Sequence, residues 1–107
     1  MIIAVPVTPD GQVDHRWGRA ARVAVARVDD GRIAAWDEHD VRWDELHDAG
    51  AEGGHHARIA RFVIDQGIDT VVANHMGPPM VQMLGRMGIE VRLGAAGSAR
   101  LVVTGAG

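Results

Sequence analysis

Residues 22–36, RVAVARVDDGRIAAW, decide how the chain is laid out. From Arg22 to Val28 polar and apolar residues alternate, with Val23 and Val25 (and Arg27 in register) on one face and Ala24, Ala26 and Val28 on the other. That period of two is the signature of a strand. Asp29-Asp30-Gly31 then supplies a hairpin turn, and Arg32 to Trp36 form the return strand. The consequence is directional: with a first strand running up and a second running down, the hairpin brings the third up again.

Upstream, residues 2–7, IIAVPV, read as a short buried strand that stops at the turn residues Thr8, Pro9, Asp10 and Gly11. Pro6 fits the strand's end or a place where no ladder donor is needed. Residues 12–20 show no period and read as a loop. Downstream, residues 37–54 form a long acidic loop rich in histidine, and loops of that length inside small domains are more often functional or mobile than idle. The spacing of Ile59, Phe62 and Val63 predicts a helix from His55 to Gln66, opened by Gly53-Gly54 and stopped by Gly67. Residues 69–73 read as a buried strand and Asn74-His75-Met76-Gly77 as a turn. Pro78-Pro79 start a second helix, where missing N–H groups cost nothing. Met80, Met83, Leu84 and Met87 give that helix a core-facing stripe, Gly88 ends it, and residues 89–93 alternate as a last strand. The tail SARLVVTGAG reads equally as a short strand or a frayed end. The expected order is therefore β-β-β-α-β-α-β with a short C-terminal tail, an α/β domain spanning residues 1–107.

Composition narrows the function. A chain of 107 residues supports one domain, and folding at this size buries roughly 65% of the surface the unfolded chain exposes. With no cysteine, disulfide frameworks and thiolate ligation are excluded. Fourteen acids face eleven bases, every base is arginine, and no basic run tracks a phosphate backbone, so nucleic acid is not the expected partner. The apolar N-terminus is too short to span a membrane or form a signal-peptide core, which makes the cytoplasm the expected location.

Three motifs in order carry a resemblance to a known family. The opening strand ending in proline is followed by His15, Gly18, Arg19 and Ala20. Gly53-Gly54-His55 stand at the start of the first helix, and Gly77-Pro78 lead into the second, which gives way to Gly88-Ile89-Glu90-Val91. Together these cover residues 1–94 and resemble the dinitrogenase iron–molybdenum cofactor biosynthesis family. The resemblance implies a ribonuclease-H-like fold, a mixed five-stranded sheet flanked by helices, and reversible, non-catalytic binding of an iron–molybdenum cofactor or an iron–sulfur precursor, with donor and acceptor proteins as partners and nitrogen fixation as the setting. Carried over by position, the cofactor-binding residues are His15, Gly18, Arg19, Gly53, Gly54, His55 and Gly77, and Asn74 and Met76 join them as candidates from their place in the turn before Gly77. The sequence departs from the family twice. Asn74-His75-Met76 stand where relatives place glycines, and a glycine-rich tail replaces the family's further C-terminal helix.

The directions of the strands support a site independently. Helical crossovers make the fourth and fifth strands parallel to the first. The segments leaving the carboxyl ends of the upward strands then carry all six histidines, His15, His39, His47, His55, His56 and His75. Ligand crevices of open α/β sheets lie on that edge. His15, His55, His56 and His75 are the candidate metal ligands, since neutral imidazole suits zinc, iron, nickel and copper. His39 and His47 read as solvated loop residues. Adjacent histidines on a helix serve one metal poorly, so one of His55 and His56 is expected to support rather than ligate. Met76 is a candidate thioether ligand, and Arg19 a counter-charge for an anionic cluster or organic acid. If no cluster is bound, a divalent transition metal is the alternative guest. The competing functions are a protein-interaction or regulatory module without metal, as monomer or homodimer, and a metal-dependent hydrolase. Against the latter, acids are missing from the first and fourth strands, where a nuclease would need them.

Overall fold

The computed structural model describes residues 1–46 and 52–106. Five strands form one sheet: β1 (Ile2–Pro6), β2 (Val23–Asp29), β3 (Arg32–His39), β4 (Thr70–Val72) and β5 (Glu90–Arg92), in the order β3-β2-β1-β4-β5. β2 is antiparallel to both β1 and β3, whereas β4 is parallel to β1 and to β5. Strands β1, β3, β4 and β5 therefore share a direction, and their carboxyl ends meet on one edge. The helices are α1 (Trp43–Leu46), α2 (Glu52–Asp65), α3 (Pro78–Arg86) and α4 (Ala99–Ala106).

The alternation in β2 sorts its side chains as its sequence requires. Val23 and Val25 join Ala4, Val71 and Ala73 on the face covered by α2 and α3, whose Ile59, Val63, Met80 and Leu84 complete that core. Ala24, Ala26 and Val28 join Ile3, Val5 and Val72 on the opposite face, covered by Ala99 and Val103 of α4. The sheet is thus buried on both sides, which explains why β1 and β4 are apolar without alternation.

The hairpin closes on Asp30 and Gly31, with φ of 53° and 73°, the positive pair that matches the twist of its strands. A Cβ at Gly31 would meet no atom within 4 Å, so its cost would be conformational rather than steric. Gly31→Ala is expected to lower stability by about 1–2 kcal/mol, measured as a drop in the urea unfolding free energy. An unchanged value would show that the turn adapts.

Four expectations are corrected. The segment 37–54 is not one loop: β3 runs on through Asp37, Glu38 and His39, Trp43–Leu46 form α1, and α2 begins at Glu52 rather than His55. The polar end of β3 remains a strand because Glu38 and His39 pair with Ala24 and Val23, and an edge strand tolerates charge on its open side. Arg22 clamps this end by hydrogen bonding to Asp40 at 2.9 Å and pairing with Glu38 at 3.3 Å, interactions that hold its guanidinium pKa above the ordinary arginine value. Residues 12–20 are also not free loop, because Val13 bridges Val7, Gln12 bridges Ser98 and Arg16 bridges His75. Finally, the C-terminal tail is neither strand nor frayed end. It is α4, and so the further helix thought to be missing is present. Ala99 and Val103 lie four residues apart on one helical face, and the open side of the sheet gives that face something to cover.

Candidate functional site

The site is assembled by three segments arriving at the carboxyl edge of the sheet. The first leaves β1 and returns as residues 15–20. Trp17 anchors it, with its side chain 1% exposed and packed edge-to-face on Trp43 at 5.1 Å between centroids. Trp43 meets Phe62 in the same manner at 5.6 Å, so α1 and α2 hold the anchor from behind. The second segment is the first turn of α2, which delivers His55 and His56. The third is the turn after β4, which delivers His75, Met76 and Gly77 and runs into the proline-opened start of α3.

Between them lies a cavity of about 320 Å³, lined by Arg16, Trp17, Gly18 and Arg19, by His55 and His56, and by His75, Met76, Gly77, Pro79 and Met80. Its floor is apolar, since Trp17, Met76 and Met80 are buried. The charged residues of its wall are arginines, and among the described residues no carboxylate lines it. Arg16 pairs loosely with Asp14 at 3.7 Å, while Arg19 makes no hydrogen bond or ion pair among the described residues. In a chain of net charge −3, the described residues of this half-apolar pocket thus carry positive charge only.

His15 stands beside this wall rather than in it. The bridge between Arg16 and His75 brings the two loops together, and the His15 ring stacks on His75 with centroids 6.2 Å apart and planes 13° from parallel. His15 and His75 are both exposed. His55 is the opposite case: it is 4% exposed, and both ring nitrogens are engaged. Nε2 lies 2.7 Å from the Gly18 carbonyl oxygen, and Nδ1 lies 2.9 Å from Nη1 of Arg58. The same Nη1 donates to the Leu46 carbonyl at 3.2 Å.

The remaining candidates separate. Asn74 turns away from the cavity, its amide donating to the Ala95 carbonyl at 2.9 Å. Gly54 is exposed in the first turn of α2, next to Gly53, and does not line the wall. His39 belongs to β3 and sits edge-on to Phe62 at 5.4 Å, apart from the cavity; His47 lies outside the described residues. The expected Met80, Met83 and Met87 stripe is core packing, with Met80 also forming floor. Trp17, Arg16 and Pro79 were not among the expected site residues. Trp17 had a signal, being the one large apolar side chain in an otherwise polar loop. Among the described residues, no three histidine, aspartate or glutamate side chains gather tightly enough to hold an ion by themselves.

The family model described as dinitrogenase iron-molybdenum cofactor matches residues 1–106, nearly the whole chain. The chain belongs to the dinitrogenase iron-molybdenum cofactor family. Among solved structures, the protein designated PH0822 is 18% identical and superposes with a TM-score of 0.78, over 99% of this chain and 92% of that one. The apo form of the orange protein from Desulfovibrio gigas is 26% identical, with a TM-score of 0.74 over 95% and 82% of the two chains. A NifB-like protein from Thermotoga, solved by NMR and assigned to the DUF35 family, is 20% identical with a TM-score of 0.61 over 95% and 83%. Curated proteins give no significant match. For this member of the iron-molybdenum cofactor family, then, the whole mixed sheet with its helices is shared with the relatives. No described helix is long and apolar enough to cross a membrane.

Proposed function

We propose that the protein binds and carries a preformed, anionic metal–sulfur cluster of the iron–sulfur or iron–molybdenum type, without turnover, in the cavity at the carboxyl edge of the sheet. The observation that carries this reading is the chemistry of the wall among the described residues: two arginines, an apolar floor, no carboxylate, and imidazoles at the mouth. A bare divalent ion needs three or four protein donors in fixed geometry, and such a set is missing among the described residues. A cluster brings its own sulfides, needs only one or two protein donors, and is attracted by uncompensated guanidinium charge. His15, His56 and His75 make no hydrogen bond through their rings among the described residues, which leaves them available as ligands. Met76 offers a thioether, and Arg19 a counter-charge. Family membership and the likeness to the orange protein support the same class of guest and a place in cofactor assembly, with donor and acceptor proteins as partners.

Hydrolysis is less well supported. The order of the strands agrees with a ribonuclease-H-like reading of the sheet, but β1 and β4 carry no acid on which a nuclease metal would rest.

Anaerobic reconstitution with ferrous iron and sulfide, with and without molybdate, tests the reading. Wild-type protein is expected to acquire visible charge-transfer absorption and bound iron, and His75→Ala to reduce both by about tenfold or more, as loss of a ligand or its support does. His39→Ala should leave them unchanged. Protein that remains colourless and metal-free under all of these conditions would remove the proposal.

A further inference from the structure

Resting on that reading of the cavity, we infer that His55 is a positioning residue that builds the cavity wall and not one of the ligands. The hydrogen-bond chemistry assigns a role to each ring nitrogen. A carbonyl oxygen only accepts and a guanidinium only donates. Facing the Gly18 carbonyl at 2.7 Å, Nε2 must carry the proton; facing Arg58 Nη1 at 2.9 Å, Nδ1 must carry the lone pair. Both ring nitrogens are thus engaged by the protein. A metal would have to displace either the Gly18 carbonyl, which holds the wall in place, or a fixed positive charge at Nδ1. The ring is also 4% exposed, in contrast with the exposed His15 and His75.

The same bonds show what His55 does. They run from the Leu46 carbonyl at the end of α1, through Arg58 one turn along α2, through the ring, to Gly18. Gly18 lies between Trp17, which forms the floor, and Arg19, which supplies charge to the wall. A cation-donor side chain and a buried imidazole thus tie the 15–20 segment to two helices at Gly18. The histidine of the Gly53-Gly54-His55 motif then earns its place by fixing geometry, and the work of coordination falls to His15, His56 and His75.

Two variants separate the roles. Glutamine supplies one donor and one acceptor but is a poor ligand for iron, and Arg58→Ala breaks the bond network without touching any candidate ligand. In iron and sulfide reconstitution, His55→Ala and Arg58→Ala are expected to lose about 10–100-fold in cluster affinity, while His55→Gln stays near wild type. Long-range ¹H–¹⁵N spectra of the apo protein are expected to show the His55 ring as the Nε2–H tautomer. The Gly18 and Arg19 amide signals should shift together in Arg58→Ala and stay in place in His55→Gln. His55→Gln losing as much as His55→Ala while Arg58→Ala retains full affinity would overturn the assignment, as would a ring that reads as the Nδ1–H tautomer. Should His55→Ala not fold, His55→Gln and Arg58→Ala still decide. If wild type takes up no cluster, the carrier reading falls, and the tautomer and amide shifts of the apo protein continue to test His55.

Discussion

Trp17→Ala is expected to lower the unfolding free energy by about 3–5 kcal/mol, a large part of the roughly 5–15 kcal/mol that holds a domain of this kind. The side chain is among the largest that are fully buried, and its ring packs edge-on to Trp43, which in turn packs on Phe62 of α2. Truncation leaves a void at the junction of the 15–20 segment, α1 and α2, where the neighbours are themselves held by hydrogen bonds such as Trp43 N–H to the Ala20 carbonyl at 3.0 Å. They cannot close on the space without breaking those bonds. Trp17→Phe should cost much less, about 1–2 kcal/mol, for a specific reason: the indole Nε1 is buried without a hydrogen-bond partner, so removing it breaks no bond and relieves an unsatisfied donor. Urea unfolding followed by far-ultraviolet circular dichroism measures both, since tryptophan emission changes with the substitution itself. A cost below about 1 kcal/mol for alanine would mean that the loop is not packed as described.

The second large effect is expected at the other face of the sheet. Val103 is fully buried between α4 and the face carrying Ile3, Val5, Ala24, Ala26 and Val72. Val103→Asp places a carboxylate with no partner among apolar side chains, and an uncompensated buried charge costs about 3–5 kcal/mol. The helix can escape by undocking, which exposes the apolar face and favours self-association. Chemical unfolding together with size-exclusion chromatography reads both outcomes. Leu101→Asp is the control: that side chain is 72% exposed, and a substitution there should stay near wild type. Equal effects at 101 and 103 would mean that α4 does not dock through the face described.

Much of this was legible before any coordinates. The alternation in β2 and the Asp-Gly turn specified a hairpin, and the crossover rule specified the shared direction of β1, β3, β4 and β5. That is why His15, His55, His56 and His75 could be brought to one edge from direction alone. The elements that went unread had local sequences consistent with more than one outcome. Residues 37–39 are polar, and only pairing with the start of β2 makes them strand. Within Ser98 to Ala106, Thr104 and Gly105 weaken helical propensity, and only the uncovered side of the sheet selects the helix.

Residue types and their order by themselves determined the strand directions and the family, because each of these follows from period, turn chemistry and motif spacing along the chain. Tertiary structure alone decided that the His55 ring is engaged by the protein itself. A ring nitrogen's role depends on the one donor or acceptor within about 3 Å of it, and for His55 those partners are Gly18, 37 residues away, and Arg58, whose rotamer no sequence pattern reports. The grouping of arginines at the cavity was hidden for the same reason: a net-acidic chain places Arg16 and Arg19 together on one wall, and only the folded packing makes that selection.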